Sequence, residues 1–487
     1  MIKKITNLFI CATALCLCTS IQQLHAQKTF YYGLELNGHI SSGDALPFWL
    51  YANQHGTVGK EASSADAVLN FHKRLNNDQS LFDYGFGATF VGRYSDNKTL
   101  FFSQLYGKLG YGVLQLTGGR FYEHTGTVNP ALSMGSLAIS PNATPMPKIK
   151  LAIPNYTEVP FTSGFVEFKG AIAHGWFGEN RIIENAWLHE KYAYLRFGGN
   201  FPFRPYIGLI HQATWGGQSQ TDGNLPDSFS DYWDVLMGKS GGDSAPHGDR
   251  IYRLGDHRGI WDMGFYLTLN DINFLVYRQF IYDDKDGLKL QEFQDGLLGV
   301  SVELPGKNQQ WVTGFLWEYL YTKKQGGPRC PGAYRDEAGG CDNYYNNYLY
   351  QSGWTYAGNT IGNPLFVPTG TPGVDVSGLP GGVANNRIIA HHFGLMGHLS
   401  TNLDYKLLAT WSRNYGIYKE LIYLNEEVET EFDAAPEQWS FLAQFNYHLP
   451  SYRAIKLHAS IGYDTGELYE NRIGLMFGIE FFGTSPF

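Results

Sequence analysis

The sequence predicts an all-β transmembrane fold, an antiparallel outer-membrane β-barrel of about 16 to 18 strands, 18 favoured, with helical and loop inserts plugging the lumen. Three observations predict it. The chain opens on an export leader, segment after segment alternates apolar and polar residues, and no apolar run after the leader is long enough for a membrane helix.

The leader comes first. Lys3 and Lys4 supply a charged start, residues 8–18 an apolar stretch, and Ala26 before Gln27 a small residue at a cleavage point. Residues 1–26 therefore read as a signal peptide and residues 27–487 as one barrel domain. Cys11, Cys16 and Cys18 lie in the leader, but the large residues Ile10, Leu15 and Leu17 before them argue against lipid attachment. Beyond the leader stand Cys330 and Cys341, around the Gly-rich residues 331–340. In an exported chain such a pair points to one loop-clamping disulfide, with two free thiols as the alternative.

The alternation comes next. Near the C-terminus Ile473, Leu475, Phe477, Ile479 and Phe481 share one face, opposite Arg472, Gly474, Met476, Gly478 and Glu480. Phe82, Tyr84, Phe86, Ala88 and Phe90 repeat the pattern, as do residues 192–197, 403–411, 438–447 and 455–463. Further segments lie near 30–38, 66–75, 98–108, 112–121, 163–174, 205–215, 259–270, 288–303 and 387–400. Residues 311–321 place aromatics on one face and Glu318 on the other. Most are close to the roughly 9–11 residues with which a tilted strand crosses a bilayer. Residues 272–282 fit less well, because Arg278 shares a face with Phe274 and Val276; a bulge would restore the pattern. The last strand is expected to pair back onto the first near residues 30–38, leaving no open edge, with residues 483–487 as a short tail.

Composition agrees. Mean hydropathy is −0.26, a value barrels reach because lumen-facing and lipid-facing residues average out. Aromatic residues make up 16% and Gly numbers 58, suited to interfacial girdles and tight turns. A net charge of −9 argues against nucleic-acid binding.

Three stretches are too long for hairpins: 122–160, 216–257 and 323–386. Within the second, residues 228–237 read as a helix, with Asp227 or Ser228 as N-cap and Gly238 as stop. Its aromatic face needs a surface to pack on, and a place in the plug would provide one. Asn270-Asp271 and Asp286-Gly287 read as tight turns.

Catalytic and metal signatures fail on inspection. Ser240 in Gly238-Lys239-Ser240-Gly241-Gly242 has a helix before it, where a nucleophile elbow needs a strand; as a phosphate loop it has Trp233 where the first Gly belongs. Asp284, Asp286 and Gly287 resemble part of a calcium loop, but Tyr282 and Phe293 occupy its ligand positions. His391 and His392 are adjacent on a strand, so their rings point to opposite faces. The reading is non-enzymatic, with no cofactor and no metal. The cysteine loop is more suggestive. Tyr344, Tyr345, Tyr348 and Trp354, with Tyr356 and neighbouring amides, combine ring faces with polar groups, as carbohydrate-binding surfaces do. Arg335 and Lys324 nearby could meet an acidic glycan.

Three local patterns carry a resemblance. One is residues 47–56, with Trp49 and Asn53; the second is residues 135–149, with Asn142 and Pro147, followed by Pro154-Asn155-Tyr156; the third is residues 208–217, with His211 and Trp215, and Arg253 downstream. Together they resemble the Wzi-type capsule assembly proteins over nearly the whole exported chain. The resemblance implies an outer-membrane barrel of about 18 strands occluded by a helical plug. It implies a surface lectin that holds capsular polysaccharide and is not itself the export pore. Partners would be that polysaccharide, outer-membrane lipid and the capsule export machinery. The motif residues would be structural or part of the plug. The rival readings are a substrate-selective porin for sugars or small acidic solutes and, more remotely, a membrane-embedded lipase or deacylase.

Overall fold

A computed structural model describes residues 29–75, 81–95, 98–243, 245–251, 253–283, 288–290, 293–305, 310–325, 342–374, 379, 381–417, 432 and 434–486. The leader, Arg335, Cys330, Cys341 and the Asp286-Gly287 turn lie outside them.

Eighteen strands form one sheet. They are β1 (Thr29–Ala45), β2 (Glu61–Lys73), β3 (Phe82–Tyr94), β4 (Thr99–Tyr111), β5 (Leu114–Arg120), β6 (Lys148–Glu158), β7 (Val166–Trp176), β8 (Trp187–Phe197) and β9 (Phe203–Trp215). There follow β10 (Asp256–Leu269), β11 (Ile272–Tyr282), β12 (Gly296–Glu303), β13 (Gly314–Tyr321), β14 (Ile388–Ser400), β15 (Leu403–Asn414), β16 (Glu437–His448), β17 (Ile455–Gly466) and β18 (Arg472–Pro486). Each pairs antiparallel with the next, and β18 returns to β1 from Thr29↔Pro486 to Ser41↔Gly474, so the barrel closes. Residues 483–486 therefore continue the last strand instead of forming a tail.

The period of two sets the two faces. On β18, Ile473, Phe477 and Phe481 are exposed on the outer wall, while Arg472, Gly474 and Met476 are buried inside. Outward aromatics occur towards both rims, such as Trp439 at one and Tyr447 at the other, as expected of girdles at the two interfaces.

Two further expectations about strands need correction. The stretch 122–160 is not all insert, because β6 occupies its second part. There Ile149 and Leu151 face out, Lys148, Lys150 and Ala152 face in, and the register shifts between Ile153 and Thr157. Pro154 falls in that shift, where its missing N–H costs no ladder bond. On β11 there is no bulge: the pairing with β10 is unbroken from Gly259↔Tyr282 to Leu269↔Ile272. Arg278 stays on the outer face, lies over the Phe280 ring and donates to the carbonyls of Phe293 and Gln294. Its long stem thus carries the charge to polar backbone groups past the strand end. The Asn270-Asp271 turn is confirmed, with φ of 49° and 66°, the double positive φ of a two-residue hairpin.

One end of the barrel carries both termini and the short turns, and all three long inserts leave from the other. Short turns of outer-membrane barrels face the periplasm, which puts the inserts outside. The plug is mostly coil. It is built from residues 46–60, 121–147, 342–374 and 381–387, and among the described residues its one helix is the single turn α1 (Phe48–Tyr51). The expected helical plug is corrected accordingly. Pro47 and Leu50 sit on Gly462 and Gly474, two inward glycines paired across β17 and β18; a Cβ on either would come within 2.9 Å of them.

The helix expected at 228–237 forms as α2 (Phe229–Met237). Ser228 closes a capping box with Asp231, and Gly238 ends it at φ 64°. Its expected place in the lumen is corrected. α2 packs on Ala213 and Trp215, which face outward on β9, in a hydrophobic cluster separate from the plug core. A short helix α3 (His247–Ile251) completes that insert.

Candidate functional site

Inside the barrel, residues 121–147 dock onto inward wall side chains, largely through backbone groups. The Thr127 N–H donates to Asp262 at 2.5 Å, and the same carboxylate accepts from Tyr194 and Tyr206. The Met134 N–H and the Ser133 hydroxyl donate to Glu318 at 2.7 and 2.6 Å, and Tyr277 joins them. The Leu137 N–H donates to Gln279, and the Asn129 amide donates to Ser301. Glu123 is gripped by Lys148 and Lys150. Burial alone would raise its pKa, but the two ammoniums hold the carboxyl well below the usual range, at about 2.

The residues expected to contact glycan mostly complete this plug. Tyr344 and Tyr345 are 1% exposed and Trp354 0%. Their polar tips are spent internally: Tyr344 donates to Asp295, Tyr345 to the Leu137 carbonyl and the Trp354 N–H to the Ala138 carbonyl. The ring of Tyr345 lies 4.4 Å from that of Phe366, and Arg258 covers Trp354. The expectation that these three stack on sugars is therefore corrected: no ring face is open. Tyr348 is half-buried and donates to Asp249 at 2.7 Å. Lys324 is half-buried too, its backbone N–H on Asp295.

The motif residues separate into two places. Trp49 donates to Thr410, Asn53 to the Met134 carbonyl and Asn142 to the Thr360 carbonyl, tying plug segments to one another and to the wall. The Pro147 carbonyl accepts from the Trp176 N–H where the segment rejoins the barrel. His211 and Trp215 instead lie on the outer face beneath the second insert, with Arg253 beside His257. His391 and His392 do face opposite ways. His392 is buried between Thr410 and the Leu132 carbonyl, while His391 lies among Trp317, Tyr319 and Trp411. Among the described residues no group of His, Cys, Asp or Glu could hold a metal ion.

Above the plug a cleft of about 1020 Å³ opens at the loop end, between the ends of strands and the loops joining them. Arg93 lies at the end of β3, Arg120 closes β5, and Arg181 lies in the loop after β7; Tyr356, Phe101, Phe177, Asn180 and Gln220 are also in the lining, with Glu179 as its one carboxylate among the described residues. The guanidiniums are held in place. Arg120 donates to the Tyr356 hydroxyl at 3.1 Å, Arg181 to the Gly353 carbonyl at 2.7 Å over the Phe177 ring, and Arg93 to the Gly56 and Thr57 carbonyls. Burial and the nearby Arg258 lower the pKa of Arg181 to about 10, so it stays charged at neutral pH. Three arginines with aromatic neighbours suit an acidic, hydroxyl-rich ligand: forks take carboxylates and rings take apolar sugar faces. Sequence reasoning missed Arg93, Arg120 and Arg181. Two lie at strand ends on the loop side and Arg181 in a loop there, positions visible in the sequence, but which loops converge is not.

Comparison with known proteins agrees with this architecture. Residues 31–367 match the family model described as capsule assembly protein Wzi. No curated protein sequence matches the chain. Among solved structures, the chain is similar to Wzi of Escherichia coli, described as an outer-membrane protein involved in group 1 capsule assembly and a carbohydrate-binding β-barrel. The identity is 14%, the coverage 93% of this chain and 84% of that one, and the TM-score 0.54. OccK3 of Pseudomonas aeruginosa is more distant, at 10% identity, 93% and 96% coverage and TM-score 0.44. With a family model matching well over half its length and a closed 18-stranded barrel, the chain belongs to the Wzi capsule assembly protein family.

Proposed function

We propose that this protein is a non-enzymatic outer-membrane lectin that binds capsular polysaccharide in the arginine cleft and helps anchor the capsule at the cell surface. The observation that carries the reading is the convergence of Arg93, Arg120 and Arg181 with Tyr356 on one open cleft at the outer end, in a chain whose net charge is −9. That local reversal of sign favours an acidic glycan. The filled lumen supports a surface role over passage of solutes. The E. coli Wzi barrel, described as carbohydrate-binding, lends the same support.

Capsule pull-down with purified protein in detergent tests it. Arg120→Ala and Arg181→Ala should each weaken binding about tenfold or more, from loss of a charge-assisted hydrogen bond worth roughly 1.5–3 kcal/mol. Added salt should weaken binding by the intact protein as well. Heat-modifiable migration on gels checks that each variant is folded. No binding to any capsule preparation, together with an intact capsule in a deletion strain, would sink the reading.

A further inference from the structure

The outer wall of a lipid-facing barrel should be apolar, and over β7 to β10 near the loop end it is not. His174, His189, Lys191, His211 and His257 all project outward there, beside Trp187 and Trp215. Acyl chains cannot satisfy such groups. The second insert covers them. The Tyr232 hydroxyl reaches His189 at 3.3 Å, and its ring lies 5.5 Å from that of Trp215. The His257 Nε2–H donates to the Leu254 carbonyl, so its Nδ1 accepts from His211 at 2.8 Å. Lys191 donates to the Leu236 carbonyl at the C-terminal end of α2, favourable for the helix dipole.

The level of α2 follows from that last contact. Lys191 pairs directly with Ile172, an exposed apolar residue on the outer wall. The end of α2 therefore sits level with residues of the lipid-facing band. The helix turns Val235 and Tyr232 toward the wall and leaves Phe229, Trp233 and Met237 on the opposite side, 81%, 52% and 59% exposed. Spaced at i, i+4 and i+8, they form one apolar stripe, continuous with the outer surface of the barrel.

We infer that α2 is a membrane-interface anchor: it shields the polar patch from lipid and presents Phe229, Trp233 and Met237 to the acyl chains of the outer leaflet. The occupant of this face is lipid, because the stripe extends a surface that lipid already covers.

The test places an environment-sensitive fluorophore on Trp233→Cys in the full chain reconstituted in phosphatidylcholine vesicles. Asn180→Cys in the cleft is the aqueous control, and the parent chain sets the labelling background. The label at 233 should emit blue-shifted light, lose emission to lipids carrying a nitroxide near the headgroup, and resist iodide; a depth of ~5–10 Å is typical of interfacial helices. The label at 180 should show the reverse. Iodide quenching at 233 equal to that at 180 overturns the inference. So does shielding from both quenchers, which would mean that a second copy of the chain covers the stripe. Phe229→Cys, labelled in the same way, repeats the measurement if Trp233→Cys does not migrate as a folded barrel.

Discussion

Residues 121–147 and 228–238 both belong to long inserts from the same end of the barrel, yet they settle on opposite sides of its wall. The first enters the lumen and donates backbone N–H groups to Asp262, Gln279 and Glu318. The second folds over the outer face and covers a patch of histidines and tryptophans. The difference lies in what the wall offers each side. Inward carboxylates can replace the water that a buried coil would lose, so irregular backbone is tolerated in the lumen. Outside, exposed backbone would face lipid, and the segment there is a helix whose own hydrogen bonds are closed, with Ser228 and Gly238 capping its ends.

The largest effect should come from removing the acceptors in the lumen. Asp262→Leu combined with Glu318→Leu strands the Thr127 and Met134 N–H groups and the hydroxyls that share these carboxylates. At about 1–3 kcal/mol for each buried unsatisfied donor, residues 121–147 should leave the lumen. Planar-bilayer recordings should then show conductance, and protease should cut the segment. A variant that stays closed and protected would show that apolar packing alone seats it.

Acid should act on the same side of the wall, more gently. His55 belongs to the plug, and burial, with the neighbouring His124 adding to it, lowers its pKa to about 4. Because the folded value lies below the ordinary 6.5, its neutral form favours the docked plug above pH 6.5. That contribution is lost as pH falls from 6.5 towards 4. Glu123, with its pKa at about 2, extends the loss below pH 4.5. Conductance recorded against pH should stay flat above neutrality and rise on the acid side. A rise on the alkaline side would contradict the assignment.

The smallest effect sharpens the contrast. Ser228→Ala removes the cap of α2 at a cost of about 1 kcal/mol. Amide exchange in residues 229–234 should quicken while the lumen stays closed. Opening of the lumen in this variant would mean that the two inserts are mechanically one unit.

Much of the barrel was legible because strand alternation is local: from Arg472 to Phe477 on β18, exposure alternates with parity. The one strand overlooked, β6, shows why legibility fails. Its alternation is only a few residues long before Pro154, and it follows directly on plug sequence. The aromatic loop misled for a related reason. Tyr344, Tyr345 and Trp354 have the chemistry of a sugar platform, but a Tyr or Trp serves as well in a core when its polar tip finds a carbonyl or carboxylate, and here each does.

By itself, then, the sequence determined the membrane barrel, the near-complete set of strands, the closing pair of first and last strands, and the helix near 228–237 with its stop at Gly238 and its N-cap narrowed to Asp227 or Ser228. All of these depend on residues close in the chain or on a period that needs no partner. Only the tertiary structure decided that α2 lies outside the wall, that the plug is mostly coil, and that Arg93, Arg120 and Arg181 share one cleft. Parity assigns a residue to one of two faces. Which insert covers that face depends on closing the barrel, and closure brings together loops far apart in the chain.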